Sequence, residues 1–133
     1  MAAQDKKLSF VEGPSSPPLL NKTIGEVLQE QAARFPNRLA VISQWQGERV
    51  TFKELERRAQ VIAKGLLNAG LRNGETVGIM AGNRVEYFEV VLGTGLIGCP
   101  LVVLNNTYTP AELRLALEKA GKSLFNEYYS SEL

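Results

Sequence analysis

The sequence predicts an α/β protein: a helix, a β-hairpin and a second helix leading into a parallel β-α-β-α-β half-sheet. Three observations carry this expectation. The runs Thr76–Met80 and Leu101–Leu104 lack polar alternation, the mark of strands covered on both faces. A capping signal recurs at Thr23/Glu26, Thr51/Glu54, Asn83/Glu86 and Thr109/Glu112, where a short oxygen-bearing side chain is followed three residues later by glutamate. Glycine then stands where three of the four helices should stop, at Gly70, Gly98 and Gly121. Strands alternating with helices in this way build a parallel sheet through right-handed crossovers.

The elements follow in order. Residues 1–22 read as a flexible leader, because Pro14, Ser15, Ser16, Pro17 and Pro18 cannot build regular structure together. The domain proper, 23–133, opens with a helix from Ile24 to Phe35 whose face carries Ile24, Val27, Leu28 and Phe35. Pro36-Asn37 turns the chain into a strand from Leu39 to Gln44. Gln46-Gly47 turns it again, and Glu48 to Thr51 returns. A long helix from Phe52 to Ala69 shows the stripe Leu55, Ala59, Ile62, Ala63 and Leu66. Asn73-Gly74 is a turn before the strand Thr76–Met80. The third helix starts after Asn83, and Leu101–Leu104 follows it as a strand. Pro110 sits at the first helical position of a fourth helix ending near Ala120, where its missing N–H costs nothing. Ser123–Phe125 starts a third strand of the sheet.

Composition removes whole classes of function. The 133 residues suffice for one modest domain. Lys plus Arg number 15 against 14 Asp plus Glu, so there is no field to steer the chain to nucleic acid or an anionic membrane. A single cysteine excludes an internal disulfide framework and a cysteine-based zinc site. The absence of histidine excludes Ser-His-Asp and Cys-His catalysis within these residues. No apolar run is long enough to span a bilayer or to serve as a signal core, and the expected compartment is the cytoplasm. Asn21-Lys22-Thr23 and Asn105-Asn106-Thr107 fit the glycosylation sequon, which has meaning only in a secreted chain.

Several motifs invite a chemical reading. Gly93-Thr94-Gly95-Leu96-Ile97-Gly98 is a literal G-x-G-x-x-G with Glu118 further on, but a dinucleotide site needs a strand before it and a helix opening within it. Here a helix precedes and Cys99-Pro100 with a strand follow, so the glycines are expected to let the third helix pack closely on the sheet. Cys99, with uncharged neighbours Gly98 and Pro100, reads as a buried packing residue. The pairs Lys6-Lys7 and Arg57-Arg58 lack the aromatic interleaving of a nucleic-acid surface, and Arg57-Arg58 falls on the polar side of the second helix. Tyr108, Tyr128 and Tyr129 could stack on a ligand or serve as half-buried structural residues. Tyr108 follows a strand, at the end where ligands of open α/β sheets gather.

The chain resembles the N-terminal part of the adenylate-forming enzymes, the superfamily of acyl-CoA synthetases, 4-coumarate-CoA ligases and luciferases. Val50-Thr51-Phe52-Lys53-Glu54-Leu55 is similar to its "T-Y/F-x-E-L" start of a long helix. Leu66 to Val77, with Gly70 and Gly74, is similar to "L-x-x-x-G-V-x-x-G-D-x-V", with Leu71 for valine and Glu75 for aspartate. Asn83-Arg84-Val85-Glu86-Tyr87 is similar to "N-x-x-E-Y/F", and Gly98 to Leu113 to "G-A-V-x-x-x-x-N-P-x-Y-T-P-x-E-L", with Asn106 where proline is common. The resemblance covers about Thr23 to Phe125. It implies a partial N-terminal domain of the adenylate-forming fold, in which the half-sheet, hairpin and flanking helices belong to a larger body.

The resemblance also implies the reaction of that family: a carboxylate and ATP give an acyl-adenylate, then a CoA thioester, in small-molecule or secondary metabolism. Full-length members use a lysine-bearing Ser/Thr/Gly-rich loop, a glutamate for magnesium, an aspartate for ribose and a C-terminal domain with a catalytic lysine. None of these has a counterpart here. No catalytic, cofactor-binding or metal residue is therefore assigned, no cofactor is expected for this chain, and ATP, Mg and CoA belong to the full-length family. The similarity stops after Phe125, so the chain is expected to be truncated and inactive alone. A module pairing with a full-length relative, or a remnant of a shortened gene, is the alternative. With its sheet incomplete, it is expected to associate with itself or a full-length relative through an open strand edge, and with neither nucleic acid nor membrane. The terminal Ser131-Glu132-Leu133 is a poor match to the peroxisomal Ser-Lys-Leu signal, because glutamate reverses the central charge.

Overall fold

A computed structural model describes residues 12–120 and the backbone of 123–127. The expected stop at Gly121, together with Tyr128, Tyr129 and Ser131-Glu132-Leu133, lies outside these residues, as do Lys6 and Lys7. Residues 12–22 carry neither helix nor strand, and their side chains are exposed.

The elements are α1 (Ile24–Arg34), β1 (Leu39–Ser43), β2 (Glu48–Thr51), α2 (Phe52–Asn68), β3 (Thr76–Met80), α3 (Val85–Leu96), β4 (Leu101–Leu104), α4 (Pro110–Ala120) and β5 (Ser123–Glu127). Strands β1 and β2 form an antiparallel hairpin with an irregularity between Leu39 and Val41. Strand β3 pairs in parallel with β4 on one side and β5 on the other, giving the order β4-β3-β5. The step from β3 to β4 and the step from β4 to β5 run in opposite directions across the sheet. Right-handed crossovers therefore set α3 and α4 on opposite faces.

Local chemistry accounts for most boundaries. Thr23 and Glu26 form the complete reciprocal capping box at the start of α1. Thr109 and Glu112 do the same for α4, with the Thr109 N–H donating to the Glu112 carboxylate at 2.8 Å. At α2 only half of the box forms. The Thr51 hydroxyl accepts from the Glu54 N–H at 3.3 Å, while the Glu54 carboxylate is taken by Arg58. The expected box at Asn83 does not form. Helix α3 begins one residue later, with Arg84 as its N-cap and no side-chain bond from that cap. Its first N–H, of Val85, instead donates to Gln46 Oε1 at 2.9 Å, so a hairpin residue 39 positions earlier replaces the local cap.

Two apolar clusters form the core. One joins Leu28 of α1, Val50 of β2, Leu55 and Ala59 of α2, and Val85 of α3. The other joins Leu66, Leu71, Val77 and Cys99, seating the end of α2 on one face of the sheet. On the stripe expected for α2, Leu55, Ala59, Ala63 and Leu66 are buried and Ile62 packs partly against the second cluster. Ile24 departs from expectation: it lies at the exposed start of α1, and Leu28 and Ala32 carry that helix's buried face.

The glycines of α3 serve packing, but against helices rather than the sheet. A Cβ on Gly93 would come within 2.9 Å of both the Ala59 carbonyl oxygen and Ile62 Cγ2 of α2. One on Gly95 would strike Ile24 of α1. Gly98, at φ +68°, ends the helix in the left-handed region.

Candidate functional site

Among the described residues, two surfaces stand out as places to receive a ligand or a partner. The first is the end of the parallel sheet where β3 and β4 finish, the place where open α/β sheets gather ligands. It presents Ala81-Gly82-Asn83 after β3 and Asn105-Asn106-Thr107-Tyr108 after β4. The Asn105 carboxamide oxygen accepts from the Thr107 N–H at 3.0 Å and from its hydroxyl at 2.9 Å, which fixes a tight Asx-type turn. Tyr108 is exposed on this loop. Neither loop contains a lysine or an acid.

The second surface is an apolar cleft of about 350 Å³ between β1 and the start of α3. Its walls include Val41, Ile42, Trp45, Val85, Tyr87 and Phe88. The hairpin tip is fastened to α3 at one end of the cleft. Trp45 Nε1 donates to the Asn83 carbonyl at 2.9 Å, and the Arg84 guanidinium lies 5.1 Å above the indole ring. Gln46 Nε2 donates to Glu86 at 3.0 Å. Burial alone would push the Glu86 carboxyl up, but hydrogen bonds from Arg84 and Gln46 outweigh it and hold the group below the usual carboxylate range. Burial pushes the neighbouring Tyr87 phenol up.

Arg58, expected on the polar side of α2, is partly buried among three carboxylates there. Its guanidinium meets Glu54 at 2.9 Å, Glu48 at 2.9 Å and Glu89 at 3.1 Å, tying α2, β2 and α3 together. Its hydrogen bonds to the Glu54 and Glu89 carboxylates raise its pKa further above an already high value. Only the Glu54 contact follows helical i,i+4 spacing, so the other two had no local signal.

The remaining candidates are structural where the chain is described. Cys99 is buried, its Sγ 3.3 Å from the Arg72 carbonyl. Gly93 to Gly98 close a helix instead of opening one. Among the described residues no group of three or more His, Cys, Asp or Glu could hold a metal ion. The described loops after β3 and β4 offer neither lysine nor carboxylate to a magnesium nucleotide. Among the described residues, no helix is long and apolar enough to cross a membrane.

Comparison with known proteins decides the family. The family profile described as AMP-binding enzyme matches residues 28–127. The chain belongs to the AMP-binding enzyme family. Within it, the chain is 42% identical over 122 residues to the acyl-CoA ligase SID4 of Ajellomyces capsulatus, covering 91% of this chain and 21% of that protein. It is 37% identical over 114 residues to the mitochondrial medium-chain acyl-CoA ligase ACSF2 of Rattus norvegicus, covering 86% of this chain and 18% of that one. The structure superposes on a putative long-chain-fatty-acid CoA ligase of Rhodopseudomonas palustris with TM-score 0.74 and 30% identity, over 80% of this chain and 26% of that one. The chain thus spans about a fifth of the length of the curated relatives it matches. Its mixed α/β architecture is part of the adenylate-forming fold.

Proposed function

We propose that these residues form the N-terminal scaffold of an acyl-CoA ligase that activates a carboxylic acid with ATP and passes the acyl group to CoA. The observation that carries this reading is 42% identity to an acyl-CoA ligase across nine-tenths of the chain. The same reading sets the reaction in small-molecule or secondary metabolism. Adenylation depends on preorganised positive charge around transferring phosphates. The loops after β3 and β4 offer amides, hydroxyls and a phenol instead, so these residues support the site without gripping the nucleotide. Titration calorimetry of the chain with MgATP is expected to give no saturable heat. A one-site isotherm would overturn this division of labour. The ligase reading itself is tested by replacing the matched fifth of SID4 with this chain and measuring acid-dependent ATP–pyrophosphate exchange. Retained exchange supports it, while a folded chimera that binds ATP yet exchanges no pyrophosphate overturns it.

A second reading is supported by one observation. Val103, on β4 at the edge of the sheet, is 62% exposed. An open apolar edge suits pairing with another copy or with a full-length relative. Co-purification of such a relative with the tagged chain is the expected result. Recovery of the tagged chain as a lone monomer would remove this reading.

A further inference from the structure

We propose that Asn73-Gly74 is a site of spontaneous covalent modification: when the turn that holds it opens, Asn73 converts to aspartate or isoaspartate, and the product keeps the turn from closing again. The pair forms the centre of the turn into β3, where the Glu75 N–H donates to the Arg72 carbonyl at 3.0 Å. Gly74 lies at φ +83°, in the left-handed region that favours glycine. Both residues are exposed, so water reaches them. Glycine after asparagine favours cyclisation, because no Cβ keeps the glycine nitrogen from the asparagine carboxamide. The step balances with water as its one co-reactant. The Gly74 backbone nitrogen attacks Asn73 Cγ, so the N–Cγ bond forms and the Cγ–Nδ2 bond breaks. The amide proton leaves with Nδ2 as ammonia. Water then opens the cyclic imide at either carbonyl, giving aspartate or isoaspartate.

In the closed turn both reacting groups are engaged elsewhere. The Gly74 N–H donates to the Gly98 carbonyl at 3.1 Å. Asn73 Nδ2 donates to the Ile97 carbonyl at 3.0 Å and to that of Gly98 at 3.4 Å. These carbonyls lie at the C-terminal end of α3, whose last turn has no basic residue to meet them. The Asn73 carboxamide therefore fills the place that a lysine or arginine often takes at a helix end. Ring closure needs these bonds to release, so the fold holds the reaction back and local opening admits it. Conversion then removes the donor. It sets a carboxylate against two carbonyl oxygens at the negative end of a helix, which disfavours re-closure. The sole cysteine, Cys99, reports on this joint. It is buried, and its Sγ donates to the carbonyl of Arg72, the residue before Asn73, at 3.3 Å.

The test incubates the full chain at mildly alkaline pH, once folded and once in guanidinium chloride. Mass spectrometry of the tryptic peptide Asn73–Arg84 follows the exchange of NH2 for OH and separates Asn73 from Asn83 by fragmentation. Conversion at Asn73 is expected in the folded chain, about tenfold or more slower than in denaturant. The converted chain carries one more negative charge, so ion exchange isolates it. Its Cys99 should react with the disulfide reagent DTNB about tenfold faster than that of the unconverted chain, the factor for a lost cap bond opposed by a new charge. Asn73→Gln would have to close a larger ring, so it should stay unmodified while its Cys99 reactivity holds constant through the incubation. Each sample is compared with itself over time, so a change in the variant's starting stability does not obscure the outcome. No conversion in the folded chain, or equal rates with and without denaturant, would overturn the proposal. So would unchanged Cys99 reactivity in the converted chain, or a parallel rise in the glutamine variant.

Discussion

Gln46 shows how a single side chain can replace a missing local signal. Its carboxamide oxygen accepts from the Val85 N–H at 2.9 Å and from the Ser43 hydroxyl at 2.9 Å, while its nitrogen serves Glu86. Gln46→Leu keeps the bulk and removes the cap. It should cost about 1–2 kcal/mol in denaturant unfolding, the range of a lost N-cap, whereas Asn83→Ala should change stability little. Arg58 is a charge counterpart. With Met there, Glu48, Glu54 and Glu89 would face one another unneutralised. Their mutual repulsion exists only while they are charged, so the penalty of Arg58→Met should be full at neutral pH. It should shrink as pH falls through the carboxylate range. Because Arg58 is a quarter exposed, the neutral-pH penalty should be about 1–2 kcal/mol, between the surface and buried limits. Parallel urea titrations at pH 7 and pH 4 check both sign and size; a penalty unchanged at pH 4 would remove the repulsion argument. Two glycines should answer alanine with opposite signs. Gly93→Ala forces α2 and α3 apart against a backbone oxygen and should cost about 1–3 kcal/mol. Gly65→Ala meets nothing within 4 Å and should stabilise α2 by about 0.5–1 kcal/mol.

At the scale of elements, the helix starts were legible wherever the signal was closed within one turn. Thr23/Glu26 and Thr109/Glu112 each contain both halves of their box, and both form. Asn83/Glu86 has the same spacing and fails because Glu86 is drawn to Arg84 and Gln46, contacts set by where the hairpin tip lands. The parallel strands were legible from their unalternating apolar runs. The cleft was not, since its two walls come together only when β1 meets α3. Of the three Arg58 partners, only Glu54 stands at a spacing from which it could have been read. Helix α4 supplies a test of how far a cap can carry an element alone, because it has no buried residue. The Thr109 N–H holds Glu112 below the usual carboxylate range. A lowered folded pKa contributes stability above the ordinary carboxylate pKa and loses it as pH falls through the lowered value. Protection of the α4 amides, taken relative to their intrinsic exchange rates, should therefore fall on acidification below the ordinary carboxylate range. Thr109→Ala should raise exchange at neutral pH and flatten that dependence. Unchanged exchange in the variant would assign α4's stability to packing.

The whole molecule divides into a well-packed half and an open one, and the division follows the order of elements. Helices α1, α2 and α3 close around Val50, Ala59 and Val85, each nearly inaccessible. The sheet is different. Val77 and Ile79 are buried, yet Val103 stands exposed on β4 beside them, and on the opposite face α4 leaves Leu115 half exposed. A strand with an exposed valine and unpaired backbone groups is a template for further pairing. If that edge drives association, a charge on it should suppress association without loosening the core, because the side chain already stands in water. Val103→Lys should shift sedimentation of the purified chain toward monomer and leave its unfolding midpoint nearly unchanged, since Val103 belongs to neither core cluster. Ile42→Lys provides the comparison at the other open edge. Suppression by Val103→Lys alone places self-association on β4, and suppression by Ile42→Lys alone places it on the hairpin. Were neither change to alter the sedimentation of an associating chain, both edges would be excluded, and the exposed apolar side chains of α4 would be the surface to charge next.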